Sequence, residues 1–160
     1  MVYAECVLES WLIKVKFQVL KNLHGKSIIH MTDPITDMFN RIRNAQAVIH
    51  PMVDVPCSNI KLKIADILQR DGFVLEFKKR GRKGKRIIRI NLKYDSDNNG
   101  SIQGFKRVSK PGQRIYKKSK EIRSVRNGYG ISIVSTTKGL LTDKEARTQK
   151  IGGEVMVEIW

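Results

Sequence analysis

The residues best suited to chemistry lie in one run, Ser135-Thr136-Thr137-Lys138-Gly139. Three hydroxyls, an ammonium and one residue without a side chain bring many hydrogen-bond donors into a local positive field. Such a set recognises more readily than it reacts, and an anionic backbone is its natural guest. Gly139 lets the chain turn sharply or meet a ligand closely. Turn chemistry alone also accounts for a Ser-Thr-rich loop ahead of a capped helix, so the surrounding chain has to decide.

The elements that position this run can be read from its flanks. Ile131 to Val134 is short, apolar and β-branched, which predicts a strand. Thr142 followed by Glu145 has the spacing of a capping box and predicts a helix start. The run is therefore expected to be a loop between a strand and a helix. Asn127-Gly-Tyr-Gly130 is a tight turn feeding that strand. The last stretch, Gly152-Gly-Glu-Val-Met-Val-Glu-Ile-Trp160, predicts a strand with Val155, Val157 and Ile159 on one face. Gly152 and Gly153 suit close backbone packing, which puts the Glu154 carboxylate where it can organise neighbouring hydroxyls.

Charge points the same way. The chain has 160 residues, 41% hydrophobic content and a net charge of +16. Residues 78–126 hold 18 Lys/Arg against three acids (Asp95, Asp97 and Glu121), so +15 of the +16 lies there. That distribution says little about fold but selects a polyanionic partner, of which nucleic acid is the commonest. No long apolar span or basic amphipathic helix supports a membrane role. Cys6 and Cys57 lie far apart and form no disulfide framework, the pattern of a reducing compartment. His24, His30 and His50 have no ligand spacing to them, so neither a metal nor another cofactor is expected.

Residues 1–30 differ from the rest. Trp11, Ile13, Val15, Phe17 and Val19 alternate weakly with polar residues, but no secretory or transit pattern is present. The functional protein is expected to begin near Met31, with residues 1–30 an atypical leader or a mis-assigned start. Abundant peptides from that segment in the native protein would refute the expectation. Next, Asp33 caps and Pro34 opens a helix with Ile35, Met38, Phe39 and Ile42 along one stripe. Arg41, Arg43 and Asn44 lie off the stripe, on a solvated or a phosphate-contacting face. Val53 and Val55 predict a short strand ending at Pro56. Ser58 caps a second helix with Ile60, Ile64, Ile67 and Leu68 inward and Gly72 as its stop. Strands follow at 73–77 and 87–94.

Between them, seven of the nine residues from Lys78 to Arg86 are cationic, a basic hairpin whose two glycines permit a mobile tip. It lacks the spacing of a phosphate loop. Asp95 to Gly100 has turn composition and marks a lobe boundary. A strand is expected over 102–108, then a type II turn centred on Pro111-Gly112. Ser109, Lys110, Pro111, Gly112, Arg114 and Tyr116 thus form a charged elbow. Arg114 suits a phosphate, and Tyr116 suits stacking, hydrogen bonding or plain core packing.

Four signatures now stand in order: Thr32-Asp-Pro-Ile with Asn40-Arg-Ile-Arg-Asn-Ala45, Arg107-Val-Ser-Lys-Pro-Gly112 with Arg114-Ile-Tyr116, Val134 through Arg147, and Gly152-Gly-Glu154. Together they resemble bacterial-type ribosomal small-subunit protein eight over about Met31 to Trp160. The resemblance implies an α+β protein of two small lobes. An N-terminal α-β-α-β-β lobe would span 31–95, and a mostly β C-terminal lobe with one short helix would span 100–160 and bind rRNA.

It implies a non-enzymatic constituent of the small subunit that binds the central domain of small-subunit rRNA early in assembly. Repression of its own mRNA through a similar stem is also implied, as are small-subunit proteins five and twelve as neighbours, and a cytoplasmic ribosome, bacterial or plastid. No membrane and no small-molecule substrate enter. The family's RNA-reading loop maps onto Ser135, Thr136, Thr137, Lys138 and Gly139, with threonine for serine at 137. Its second element maps onto Arg107 to Gly112, where Lys110 keeps the charge of the usual arginine but not its fork; Gln113 stands where an apolar residue is usual. The alternatives are an RNA-processing enzyme, which would need a catalytic pair or carboxylate metal cluster, and a basic DNA-compacting protein.

Overall fold

A computed structural model describes residues 33–82 and 86–160; the expectations about residues 1–30 and the centre of the basic hairpin lie outside them. Helix α1 (Pro34–Ala47) leads to strand β1 (Met52–Pro56), helix α2 (Asn59–Arg70) and strands β2 (Val74–Arg80) and β3 (Ile87–Leu92). Strands β4 (Phe105–Arg107), β5 (Tyr116–Lys117), β6 (Ile131–Thr136) and β7 (Gly139–Thr142) follow, then helix α3 (Asp143–Thr148) and strand β8 (Gly153–Ile159). The protein is α+β: two helices with a three-stranded sheet, then a mostly β part with one short helix.

The first sheet runs β1-β3-β2, all antiparallel. The second runs β4-β8-β6-β7, with β5 also on β8. Asp33 caps α1 by accepting from the Ile35 and Thr36 amides at 3.0 and 3.4 Å. The capped helix buries Ile35, Met38, Phe39 and Ile42, and Phe39 stacks on Phe105 of β4 at 5.1 Å between centroids. Burial of a side chain like Phe39 is worth about 1.5–3 kcal/mol. One apolar cluster contains these residues, Ile64 and Leu68 of α2, Ile88 and Ile90 of β3, and Ile131, Ile133, Val157 and Ile159 of the second sheet. The turn at Asp95 to Gly100 forms as expected, with Asp95 accepting from the Asp97 and Asn99 amides, yet the core continues across it.

Four expectations need correcting. In α2, Ile60 is exposed and Lys61 is buried. Lys61, Ile64, Ala65 and Leu68 complete an i, i+3, i+4, i+7 stripe, and burial lowers the Lys61 pKa. Of the strand expected over 102–108, only Phe105–Arg107 pairs in regular register: before it the Gln103 and Gly104 amides both converge on the Trp160 carbonyl, and after it the Val108 amide donates to the Met156 carbonyl. Gly112 does not take the positive φ of a type II turn; Lys110 and Gln113 instead exchange backbone hydrogen bonds at 2.9 and 3.0 Å.

The fourth correction concerns β8. Ile133 pairs with Val157 and Val134 with Val155, so Met156 is an extra residue, a β-bulge. Val155 therefore faces a second cluster with Ile122, Val134 and Ala146. Val157 and Ile159 face the main core.

Candidate nucleic-acid interface

The expected strand-loop-helix passage is in fact a hairpin followed by a helix. Thr136 pairs with Gly139, Ser135 with Leu140 and Ile133 with Thr142, so only Thr137 and Lys138 form the tip. Neither takes a positive φ, whereas Gly139 sits at φ +112°, a region glycine enters without steric cost. The Thr136 hydroxyl donates to the Gly139 carbonyl at 2.9 Å and accepts from the Lys138 amide at 3.2 Å. This brace leaves Thr137 and Lys138 exposed, with Ser135 and Thr136 half-buried. Behind the hairpin, the Thr142–Glu145 capping box forms as its spacing predicts, with mutual bonds of 2.9 and 3.3 Å.

Strand β8 gathers the remaining residues. Glu154 pairs with Tyr116 on one side and Ser135 on the other, so the three share one face of the sheet. Its Oε1 accepts from the Ser109 hydroxyl and from Arg114 Nη1 at 2.8 Å. Ser109 is fully buried, and its Oγ also accepts from the Ile115 amide at 3.2 Å. Ser109 and Glu154 thus hold the elbow in place from within, while Tyr116 (69% exposed) and Arg114 (49%) present outward. Lys110, Pro111 and Gly112 are exposed in the adjoining turn. Burial pushes the Glu154 carboxyl up, but the bonds from Ser109 and Arg114, with Arg107 nearby, outweigh it and hold the group below its ordinary value.

Backbone proximity seats the hairpin. A Cβ on Gly153 would collide with the Ser135 carbonyl, and one on Gly152 would lie 2.6 Å from the Lys117 carbonyl. Glycine at both positions lets β8 run close under β6 and β5, as the Gly-Gly pair predicts.

The α1 residues belong to a different group. Arg41 pairs with Asp37 at 2.8 Å. Arg43 donates to Asn40 at 2.9 Å and lies 5.4 Å from the Phe105 ring centroid. Asn44 is exposed. Among the described residues, no hydrogen bond or ion pair links these three to the β8 cluster. The link instead is one that spacing alone does not reveal. Arg107 Nε donates to Asp33 at 2.8 Å, and its Nη1 to the Met156 carbonyl, with both side chains largely buried. Burial raises the Asp33 carboxyl, and the bonds from Arg107, Thr36 and Ile35 more than offset it, lowering its pKa. The α1 N-terminus is thereby pinned to the bulge of β8.

A family model described as Ribosomal protein S8 matches residues 33–160. The chain belongs to this family. Small ribosomal subunit protein uS8 of Lysinibacillus sphaericus (strain C3-41) is 54% identical over 132 residues, covering 81% of this chain and 98% of the relative. The proteins of that name from Oceanobacillus iheyensis and Streptococcus gordonii are 52% and 53% identical, at the same coverage. The S8 family is structural and non-enzymatic, and RNA binding in translation is general to it. Among the described residues no helix is long and apolar enough to cross a membrane.

Proposed function

We propose that this chain is a structural constituent of the small ribosomal subunit. It binds an irregular stem in the central domain of small-subunit rRNA and supports subunit assembly. The observation that carries the reading is the single face on which Glu154 aligns Tyr116 and Ser135 and holds Arg114, beside a tip that offers Thr137 and Lys138. A-form RNA hides its base edges in a deep groove, so a protein reads its shape, 2′-hydroxyls and unstacked bases. A braced tip with a free hydroxyl and a free ammonium suits that task, with an aromatic ring and a guanidinium alongside. The cations of residues 78–126, with Arg41 and Arg43, supply salt-sensitive strength.

The same face would take a stem of like shape in the chain's own mRNA. The location that follows is the ribosome of a bacterial cytoplasm, beside small-subunit proteins five and twelve. Filter binding at one stated salt concentration tests the reading: Thr137→Ala should weaken the cognate rRNA stem more than a random RNA duplex. Equal loss on both, or equal affinity of the parent protein for duplex DNA, overturns it.

A further inference from the structure

The opposite face of the second sheet holds a cavity of about 290 Å³ that the hairpin surface does not use. Successive strand residues point to opposite faces, so Val155 enters this cavity while Glu154 points to the elbow. The bulge at Met156 then brings Glu158 to the Val155 side, in register with Lys106 and Ser132. Lys106, Lys117, Arg123 and Arg126 line the cavity, and among the described residues none of them pairs with a carboxylate. Ser132 lies in its floor, 2% exposed; its amide is bound to Asp143, but its hydroxyl has no partner. A buried hydroxyl left unpaired is costly and uncommon.

Flat groups lie at one side of the cavity. The Arg126 guanidinium lies 4.9 Å from the Trp160 ring centroid. Both residues also line a neighbouring cavity of about 420 Å³ that includes Phe73 and Tyr129, and Tyr129 is 89% exposed.

We propose that the two cavities form a second ribonucleotide site, taking the phosphate of an unstacked nucleotide among the cations and its base against Arg126, Trp160 and Tyr129. An anion alone would use the cations but be repelled by Glu158. A nucleotide also brings ribose hydroxyls and base amino groups that donate to that carboxylate, and a π-face for the aromatic groups. An acidic peptide would leave Tyr129 without a role. The proposal shares with the previous section the premise that the chain works on RNA, but it uses a different face.

The test titrates the full chain with a 5′-phosphorylated single-stranded tetraribonucleotide and follows the Trp160 indole N–H resonance. That resonance should shift. Arg123→Ala and Tyr129→Ala, both at exposed positions, should each weaken the tetranucleotide by about tenfold, and Tyr129→Ala, which removes no charge, should leave the rRNA stem retained. Lys138→Ala should do the reverse. A stationary Trp160 signal overturns the proposal. So does inorganic phosphate acting as strongly as the tetranucleotide, displacement by an oligoglutamate peptide, or weakening by Lys138→Ala but not by Arg123→Ala. If stem binding fails while the Trp160 response survives, the hairpin reading falls and this one stands.

Discussion

Replacing Glu154 separates the interior brace from the surface ion pair. In Glu154→Ala, the buried Ser109 hydroxyl loses its carboxylate acceptor, and Arg114 loses its 2.8 Å partner. Loss of a charge-assisted, largely buried hydrogen bond costs about 1.5–3 kcal/mol. The half-exposed Arg114 contact adds about 0–1 kcal/mol, so roughly 1.5–4 kcal/mol is expected in all. Glu154→Gln keeps an acceptor for Ser109 and should cost about 1 kcal/mol, while Arg114→Ala should cost under about 1 kcal/mol.

Urea unfolding monitored by circular dichroism reads these differences as midpoint shifts at constant slope. The difference between parent and Glu154→Gln also has a pH signature. The folded carboxyl titrates below its ordinary value of 4.5. Its stabilisation is therefore fully present above that value and lost as pH falls through the lower, folded one. A Glu154→Ala cost within about 0.5 kcal/mol of zero, or an Arg114→Ala cost equal to it, would refute this account.

Other substitutions probe the frame and the tip. Gly153→Ala should force β6 and β8 apart at the Ser135 carbonyl, costing about 1–3 kcal/mol in the thermal unfolding midpoint. Asp33→Ala removes both a helix cap and the buried partner of Arg107. It should destabilise by about 3 kcal/mol or more in denaturant titration, and Asp33→Asn, which can still cap, by less. Lys138→Ala should lower the slope of log affinity against log salt for the rRNA stem by about 0.7–0.9, measured by filter binding across a salt series.

Much of the frame was legible because local chemistry and tertiary context agree there. Asp33-Pro34 and Ser58 begin their helices as their caps predict, and Thr142 with Glu145 forms the box that its spacing announces. Strand β7 was not legible: Gly139-Leu-Leu-Thr142 has no β-branched run, is four residues long and doubles as the approach to a capped helix. The bulge was hidden because Val155, Val157 and Ile159 alternate perfectly in sequence, and only pairing with β6 reveals the extra residue. Lys61 escaped because charge weighs against burial, although its position extends the apolar stripe. At the elbow, Ser109 and Tyr116 read alike as polar candidates. One is fully buried against Glu154 and the other faces outward, a difference set by strand sidedness that spacing does not carry.

The apolar cluster shared by α1, α2 and both sheets limits how the molecule meets a guest. Ile133 and Ile159 are buried in the same interior as Phe39 and Ile64, so the helical end and the strands that carry the hairpin share one packed core. Close-packed interiors transmit strain and do not absorb it. On the RNA-binding reading proposed above, such a frame would act as a fixed calliper, turning away a guest of the wrong width by its dimensions before any single contact is compared.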